Sequence, residues 1–361
     1  MRIPKHMAAV QLIGHGGIET LRYTDTVPVP RPGPGEVLIR VKAAGINNTD
    51  INTRIGWYSA ASSTGTGEAS GAADGTPEDG DWTGMGLAFP RIQGADACGE
   101  IVAVGAGVPE DRLGTRVIVQ SCLLSLRRGN FTPWLGSERD GAFAQFACVP
   151  SADTYRVDCA LTDEELASAP CAFATAENLL TRAGVAAGET VLITGASGNV
   201  GVASIQLAHR RRARVIAVAA LGKHAALQAL GAERCVPRDA PLADTLGEQS
   251  VDVVIDVVGG PQWPGFLDVL RTHGRYAVSG AIAGPIVRMD LRKLYLKDLT
   301  FHGCTAQAPH VFRALIDYLE RGEIKPLVAM RYPLKEIAAA QTEFLSKTQI
   351  GKIVLIPPSL D

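Results

Sequence analysis

Three glycines between residues 195 and 201 have the spacing of a phosphate-binding turn. The segment reads Thr190-Val-Leu-Ile-Thr-Gly-Ala-Ser-Gly-Asn-Val-Gly201, so a glycine recurs at every third position after an apolar run. Glycine suits such a turn because it adopts unusual backbone angles and lets the backbone approach a pyrophosphate closely. A helix starting there would offer free N–H groups and its positive dipole end to the anion. The segment predicts a dinucleotide-binding loop, with a merely structural turn as the alternative.

The residues after the next apolar run bear on the choice of cofactor. NAD enzymes usually carry an acidic residue about 20 residues beyond the glycines, where it binds the ribose. Here Arg214–Ala219 is followed by Ala220-Leu-Gly-Lys223, without a carboxylate. Because nothing there would repel a 2′-phosphate and Lys223 is within reach of one, the sequence favours NADPH. An ordinary solvated helix residue is the alternative for Lys223.

The loop must be positioned by alternating strands and helices. From Leu161 onward apolar runs alternate with helical segments, beginning at the capping box Thr162-Asp-Glu-Glu165. Continuous apolar strands that alternate with helices indicate a Rossmann-type, doubly wound parallel sheet. The chain then continues with a predicted helix at Val311–Arg321 and a last strand at Lys352–Ile356.

The first third of the chain reads as β-structure. Runs rich in Val, Ile and Ala are separated by Gly and Pro, as in Pro28–Gly35. Ser59–Gly80 breaks this pattern with small and acidic residues and no large apolar ones, so we expect a flexible insertion there. We predict an α/β chain with a β-rich domain at 1–160, a cofactor domain at 161–298, and a segment at 299–361 that returns to the first domain.

Composition narrows the class of protein. With 361 residues, 46% of them hydrophobic, the chain is too long for one core and too apolar to be disordered. The 35 basic and 37 acidic residues nearly cancel, which gives no case for nucleic acid or an anionic membrane as partner. No apolar run could span a bilayer and no signal-peptide core follows Met1–Met7, so we expect a cytoplasmic protein. The seven cysteines include no Cys-x-x-Cys pair, which argues against a disulfide framework.

Five stretches of the chain resemble the medium-chain dehydrogenase/reductase superfamily, and within it the zinc-free quinone oxidoreductase branch. They are Pro32-Gly-Pro-Gly-Glu-Val-Leu-Ile-Arg-Val41, Gly45-Ile-Asn-Asn-Thr-Asp50, Gly99-Glu-Ile-Val-Ala-Val-Gly105, Gly195-Ala-Ser-Gly-Asn-Val-Gly201 and Gly351-Lys-Ile-Val-Leu355. The resemblance covers nearly the whole chain outside the insertion. It implies a partly open, β-barrel-like (GroES-like) catalytic domain, a Rossmann cofactor domain inserted into it, an active site in the cleft, and a homodimer.

The chain departs from the zinc-dependent members of that superfamily at their ligand positions. Where they place a cysteine this chain has Asn47, and where they have Gly-His-Glu it has Gly94-Ala95-Asp96. Of the ligands only Cys171 remains, and one thiol cannot hold catalytic zinc, which needs three protein ligands. We therefore expect no metal site, and we interpret Cys171 as a small buried residue rather than a nucleophile.

The motif and the resemblance together name the candidate site residues. The expected cofactor contacts are Thr49, Gly195, Ala196, Ser197, Gly198, Asn199, Val200, Gly201, Lys223, Ser279, Gly280 and Lys352. Tyr58 matches a cleft tyrosine of quinone and enoyl-thioester reductases. Together with the amide of Asn47 it would stabilise negative charge on a substrate carbonyl oxygen, and aromatic packing is the alternative for Tyr58.

Together these expectations predict an NADPH-dependent, metal-independent reductase that transfers hydride to quinones or α,β-unsaturated carbonyl compounds. An enoyl-thioester reductase acting on acyl-CoA is the rival within the same class. A non-catalytic NADPH-binding protein is the rival from another class. In the first two cases the partner is a small carbonyl or quinone substrate.

Overall fold

Two compact units make up the described part of the chain. The structure, a computed structural model, describes residues 3–59, 62–66 and 87–360. Within them the first unit comprises 3–59, 62, 87–171 and 312–360, and the second comprises 63–66 and 172–311. The predicted boundaries at 160 and 298 both lie earlier in the chain than the boundaries of the structure, which follow residues 171 and 311.

Strands dominate the amino-terminal part of the first unit. They are β1 (His6–Leu12), β2 (Leu21–Pro28), β3 (Glu36–Gly45), β4 (Arg91–Ile92), β5 (Cys98–Val104), β6 (Arg116–Val119), β7 (Phe146–Pro150) and β8 (Thr154–Arg156). Two short helices accompany them, α1 (Asn48–Arg54) and α2 (Asp163–Leu166). Thr162 accepts a hydrogen bond from the Glu165 N–H, as the capping-box pattern predicted, and α2 packs on β3 and β5. This packing explains why the first unit extends past residue 160.

The second unit alternates strands and helices. After α3 (Pro170–Arg182) come β9 (Thr190–Ile193), α4 (Asn199–Arg210), β10 (Arg214–Val218), α5 (His224–Ala229), β11 (Arg234–Val236), α6 (Leu242–Leu246), β12 (Val251–Asp256), α7 (Trp263–Val269), β13 (Leu270–Val278), α8 (Leu291–Tyr295) and β14 (Thr300–Gly303). The chain leads back through α9 (Pro309–Glu320), β15 (Val328–Pro333), α10 (Ile337–Ser346) and β16 (Lys352–Ile356). No helix among the described residues has both the length and the apolar character needed to cross a bilayer.

Six parallel strands form the sheet of the second unit, in the order β11-β10-β9-β12-β13-β14. The chain winds to one side of β9 through β10 and β11 and to the other side through β12, β13 and β14. This arrangement confirms the predicted doubly wound fold, and ligands of such sheets bind at the carboxyl ends of the strands where the winding reverses. Because β14 is its sixth strand, the unit extends past the predicted boundary at 298.

A second sheet, of seven strands, builds the first unit. Its order is β15-β16-β3-β5-β6-β8, with β7 paired to β3, while β2-β1-β4 forms a separate three-stranded sheet. Ile39 of β3, Phe143, Phe146 of β7 and Ile353 of β16 share one buried core. Strand β16 pairs with β3 so that Val354 lies opposite Gly45. The predicted return of the carboxyl-terminal segment therefore brings residues near 352 beside residues near 45.

Candidate active site

The predicted phosphate loop joins β9 to α4 at the carboxyl edge of the parallel sheet. Gly195 adopts φ +54°, Ser197 is buried, and Gly198 is the N-cap of α4, whose first residues are Asn199 and Val200. A Cβ at Gly201 would lie 2.3 Å from the Gly195 carbonyl oxygen. The three glycines therefore permit the turn and the close packing of the helix on it. Backbone N–H groups at the start of a helix bind anions, and this loop leads into the start of a 12-residue helix.

A buried carboxylate braces the neighbouring strand ends. Asp256, the last residue of β12, accepts hydrogen bonds from the Thr194 hydroxyl at 2.5 Å, the Tyr276 hydroxyl at 2.6 Å and the Val258 N–H at 2.8 Å. Burial, followed by the negative charge of Asp256, raises the pKa of Tyr276, so the tyrosine stays protonated as a donor. Sequence reasoning missed this residue, although an Asp that ends an apolar strand at the carboxyl edge was a usable signal.

The predicted contacts Ser279 and Gly280 follow β13 on the same edge of the sheet. The Ser279 N–H donates to the Asp256 carbonyl oxygen at 3.1 Å, and a Cβ at Gly280 would lie 3.2 Å from the Val257 carbonyl oxygen. Both residues therefore lie beside the strand end that Asp256 braces.

Part of the predicted flexible insertion packs on the loop after β13. Thr66 is buried, and its N–H donates to the Ile282 carbonyl oxygen at 3.0 Å. A Cβ at Gly65 would lie 2.4 Å from the same oxygen. Backbone pairing orders residues 65 and 66 although they bring no large apolar side chain, which the compositional argument did not foresee. Of the insertion 59–80, residues 60–61 and 67–80 lie outside the described part of the chain.

Lys223 lies beside the phosphate loop. Its Nζ is 3.4 Å from the Ser197 Oγ. Partial burial, and then the positive charge of Arg238, lowers the pKa of Lys223. Arg238 follows β11, which pairs in parallel with β10, so both cations extend from adjacent carboxyl strand ends. A pair of cations next to a phosphate loop can bind a further anionic group.

In the first unit, a buried charged cluster joins three distant parts of the chain. The Lys352 Nζ donates to Asp96 Oδ2 at 2.8 Å and to Asn47 Oδ1 at 2.5 Å. Lys352 is 2% exposed and Asp96 0%. Gly45 makes room for them, because a Cβ there would lie 2.8 Å from Asp96 Oδ2. We call Asn47, Asp96 and Lys352 the ammonium cluster. The ammonium of Lys352 points into it, and a contact of Lys352 with the cofactor stays a prediction.

The side-chain amide of Asn47, which is predicted to donate to a substrate oxygen, is hydrogen-bonded within the protein. Its Nδ2 donates to Asp96 Oδ2 at 2.9 Å and to the Gly45 carbonyl oxygen at 3.3 Å, while its Oδ1 accepts from Lys352. Donation to a substrate oxygen would require the amide to break one of these bonds. Asn47 is 4% exposed and is the N-cap of α1. Its position suits holding the start of that helix better than donating to a ligand.

Asp50 lies next to the ammonium cluster and has an unusual proton affinity. It is 2% exposed and accepts the N–H of Asn47 at 2.7 Å and the N–H of Gly94 at 3.2 Å. Burial raises the pKa of Asp50 to about 7, against the lowering effect of the hydrogen bond from the Asn47 N–H. The charge of Asp96 adds to the rise, while Lys352 opposes it. The carboxyl group therefore titrates near neutral pH.

Thr49 and Tyr58, both predicted site residues, are in contact. The half-buried Tyr58 places its hydroxyl 3.2 Å from Thr49 Oγ1, and its ring meets Trp57 edge-on at 5.7 Å between centroids. Burial raises the pKa of Tyr58 above its usual value, so the hydroxyl is protonated at neutral pH. The arrangement supplies a neutral O–H donor next to a second hydroxyl.

The residues at the expected zinc-ligand positions do not fit a zinc ion. Asn47 is tied to Lys352, Ala95 has no ligand atom, and the backbone N–H of the buried Cys171 donates to Asp96 Oδ1 at 2.6 Å. The ammonium of Lys352 already balances the Asp96 charge, so the pair has no net negative charge to attract a dication. Within the described ranges, no three His, Cys, Asp or Glu residues are grouped as a metal site requires.

Two family profiles match the chain. The profile described as alcohol dehydrogenase GroES-like domain matches residues 33–158, and the profile described as zinc-binding dehydrogenase matches residues 230–355. Apart from the short segment at 63–66, the described residues of the first match belong to the first unit, and the second match covers parts of both units.

Full-length relatives and solved structures extend these matches. Acryloyl-coenzyme A reductase of Metallosphaera sedula is 29% identical over 97% of this chain and 99% of its own length, and rat quinone oxidoreductase is 27% identical over 98% of both. A solved protein from Sinorhizobium meliloti 1021, assigned as a candidate alcohol dehydrogenase, is 45% identical with a TM-score of 0.89 over 99% of this chain and 98% of its own. A mycobacterial protein solved with NADPH is 25% identical, with a TM-score of 0.75 over 97% of this chain and 100% of its own. These similarities extend over both units.

Proposed function

The chain belongs to the medium-chain dehydrogenase/reductase superfamily, and on that premise we propose that it is a zinc-independent, NADPH-dependent reductase of quinones or α,β-unsaturated carbonyl compounds. The relatives named above include a quinone oxidoreductase and an acryloyl-coenzyme A reductase, so an oxidoreductase is the coarse assignment. The observation that carries the finer one is the ammonium cluster, which occupies the expected metal position.

Without a metal, the acceptor must be activated by its own structure. NADPH, when bound, supplies hydride. Hydride addition to the β-carbon of an enone leaves negative charge on the carbonyl oxygen, and conjugation spreads that charge. Hydride addition to a simple ketone would instead need a strong electrophile bound to the carbonyl oxygen. A preorganised hydrogen-bond donor can stabilise that charge. We assign this role to the Tyr58 hydroxyl and give Asn47 the role of holding the start of α1, which carries Thr49.

The residues of the second unit fit a phosphorylated dinucleotide. The loop from Gly195 to Gly201 and the N-terminus of α4 would hold the pyrophosphate. Lys223, Arg238 and the Ser197 hydroxyl would hold a 2′-phosphate, which is present in NADPH and absent from NADH. No carboxylate stands between residues 219 and 223 to repel it.

We also propose a homodimer formed through the edge of the six-stranded sheet. Strand β14 is the last strand of that sheet in the described chain, and Phe301 on it is 37% exposed. Leu291, Tyr295 and Leu296, which precede it, are 61–68% exposed. An unpaired edge beside apolar side chains is a template for strand pairing with a second copy. A monomer in sedimentation equilibrium would refute this.

We further propose a cytoplasmic location, a compartment that keeps thiols reduced, since the structure shows all seven cysteines as thiols.

The proposed activity is tested by following NADPH oxidation with enones, quinones and acryloyl-CoA in the presence of a chelator. We expect turnover with free enones and quinones that survives chelation, and Tyr58→Phe should lower kcat about 10²-fold for enones. The loss should be smaller for quinones, because the aromatic ring stabilises their reduced oxygens. Turnover of acryloyl-CoA alone would favour the thioester reductase, which the Metallosphaera relative supports. NADPH binding without turnover, or loss of activity with loss of bound zinc, would refute the proposal.

A further inference from the structure

A tight turn after α1 brings Tyr58 back over that helix. Gly56 adopts φ +67°, a conformation that favours glycine, and the Trp57 N–H donates to the Asn52 carbonyl oxygen at 2.8 Å. Thr49 and Asn52 are three residues apart on the helix, so their side chains are neighbours. The Tyr58 hydroxyl is placed against both of them.

Asn52 is a second hydrogen-bonding partner of the Tyr58 hydroxyl, besides Thr49. Its side chain is buried, with only 6% of the residue exposed. A buried amide group without a hydrogen-bond partner costs about 1–3 kcal/mol of stability, so buried amides are hydrogen-bonded. Neither the motif nor the resemblance singled out this residue.

The orientation of the Asn52 amide follows from its second partner. Asn48, one helical turn earlier, donates from its Nδ2 to Asn52 Oδ1 at 3.2 Å. The carbonyl oxygen already accepts from Asn48, and the bond with Asn52 lowers the pKa of Tyr58, as a donor to the phenol oxygen does, so the Nδ2 of Asn52 is the group that faces Tyr58. The Tyr58 oxygen thus accepts from Asn52, and its own hydrogen is directed to Thr49 Oγ1.

We propose that Asn52 is a positioning residue, which donates a hydrogen bond to the Tyr58 oxygen and so makes Tyr58 an effective proton donor to the substrate oxygen. This inference rests on the proposed function. When a substrate carbonyl arrives, the Tyr58 hydrogen turns to it, and the Thr49 hydroxyl can reverse and donate to Tyr58, since a hydroxyl both donates and accepts.

The proton balance defines what Asn52 does. Hydride delivered to the β-carbon would form a C–H bond there, the C=C pair would become a double bond between the α-carbon and the carbonyl carbon, and the C=O π pair would move to the oxygen, which Tyr58 would protonate. The tyrosinate left behind is reprotonated by solvent, and the enol becomes the ketone. Burial opposes the tyrosinate by raising the pKa of Tyr58, while the bonds to Thr49 and Asn52 lower it. A donor at position 52 therefore stabilises the charge that the step creates.

The sharpest test is Asn52→Asp, which is nearly isosteric. A carboxylate still accepts from Asn48, but it cannot donate to Tyr58, and its charge disfavours the tyrosinate. We expect kcat for an enone to fall at least about tenfold with little change in KM. We also expect the alkaline limb of the pH–rate profile to shift to higher pH. In a Tyr58→Phe background the same change should alter kcat less than about twofold, because the group it acts through is gone.

The matched control is Asn130→Asp, the same change at an exposed position of the first unit, which should leave kcat unchanged. A second variant, Asn52→Ala, removes the donor without adding charge and should show a smaller loss in the same direction. It keeps the inference testable should the charged variant fail to fold. Thermal melts of both variants identify such a failure.

A readout without substrate separates this inference from the proposed function. With ¹³Cζ-labelled tyrosine, the Tyr58 resonance is assigned by its loss in Tyr58→Phe, and it should shift in Asn52→Asp but not in Asn130→Asp. If wild type reduces no acceptor and the shift is still seen, the proposed function fails and the hydrogen bond stands. An unchanged resonance, or equal losses of kcat in the Tyr58 and Phe backgrounds, would overturn the role of Asn52.

Discussion

The phosphate loop and the ammonium cluster position their polar groups in two different ways. The loop is built from seven consecutive residues, 195–201, and works through backbone N–H groups at a helix start. The cluster joins side chains from residues 47, 96 and 352, which the pairing of β3 with both β16 and β5 brings together. The phosphate loop is therefore determined by local sequence and by the conformations that glycine permits. The ammonium cluster depends on the completed fold and on charge balance.

The difference has an energetic consequence. In the loop, the groups that would bind a ligand are N–H groups that a helix leaves open in any case. In the cluster, a buried ammonium and a buried carboxylate satisfy each other, so that removing one leaves the other uncompensated. Damage to the loop should therefore appear in cofactor affinity, and damage to the cluster in stability.

Lys352→Met should cause the largest effect. It removes the ammonium from Asp96, which is 0% exposed, and a broken buried pair of this kind costs about 3–5 kcal/mol of the free energy of unfolding. Urea unfolding of the first unit measures the loss. NADPH affinity should stay within a few-fold of wild type where the protein is folded.

Two further variants check the origin of that loss. Lys352→Met combined with Asp96→Asn removes both charges and should recover part of the stability, whereas the exposed Lys335→Met should cost almost nothing. A drop in NADPH affinity without loss of stability in Lys352→Met would instead identify Lys352 as the cofactor contact that the resemblance implied.

The pH dependence of stability tests the environment of Asp50, which lies next to the ammonium cluster. The pKa of Asp50 is about 7 in the folded chain and near 3.8 when unperturbed, so between these values the folded state binds more protons than the unfolded state. Its contribution to the free energy of unfolding should therefore fall as pH rises from about 4 to about 7 and level off above, by at most about 3 kcal/mol between about pH 5 and about pH 8. Asp50→Asn cannot ionise, and the difference between its urea midpoints at the two pH values should be smaller than in wild type. Parallel pH profiles would contradict this.

Gly201→Ala tests the loop. The added Cβ would lie 2.3 Å from the Gly195 carbonyl oxygen and 2.5 Å from the Ala196 Cα, and these backbone atoms cannot move aside without reshaping the turn. We expect NADPH to bind about 100-fold more weakly, about 2.7 kcal/mol, by fluorescence titration. Gly265→Ala is the control, because a Cβ there has no atom within 4 Å. Wild-type affinity in the loop variant would refute the close approach of helix and turn.

Sequence reasoning succeeded where the signal was local. The loop, the capping box at Thr162 and the alternating elements of the second unit were all predicted, because turn geometry and apolar runs depend on near neighbours. It did not foresee that Asn47 would bind Lys352, since 305 positions separate them. Edge strands such as β2 and β14 were missed, because half-exposed strands lack a continuous apolar run. Side-chain networks such as those at Asp256 and Asn52 need the three-dimensional register that composition does not carry.

The smallest expected effect is on the NADPH affinity of a Lys223 variant. Lys223 lies next to the phosphate loop, but it would bind its ligand through side-chain charge, as the cluster residues bind one another. Lys223→Ala should weaken NADPH about tenfold, about 1.4 kcal/mol, because the side chain is partly exposed and Arg238 remains to bind the 2′-phosphate. NADH, which lacks that phosphate, should lose little. Arg234→Gln, an exposed cation on β11, is the control and should affect neither cofactor. The difference should shrink at high salt, since an exposed charge pair is screened. Equal losses for NADPH and NADH would mean that Lys223 supports the loop through Ser197 and does not distinguish the cofactors.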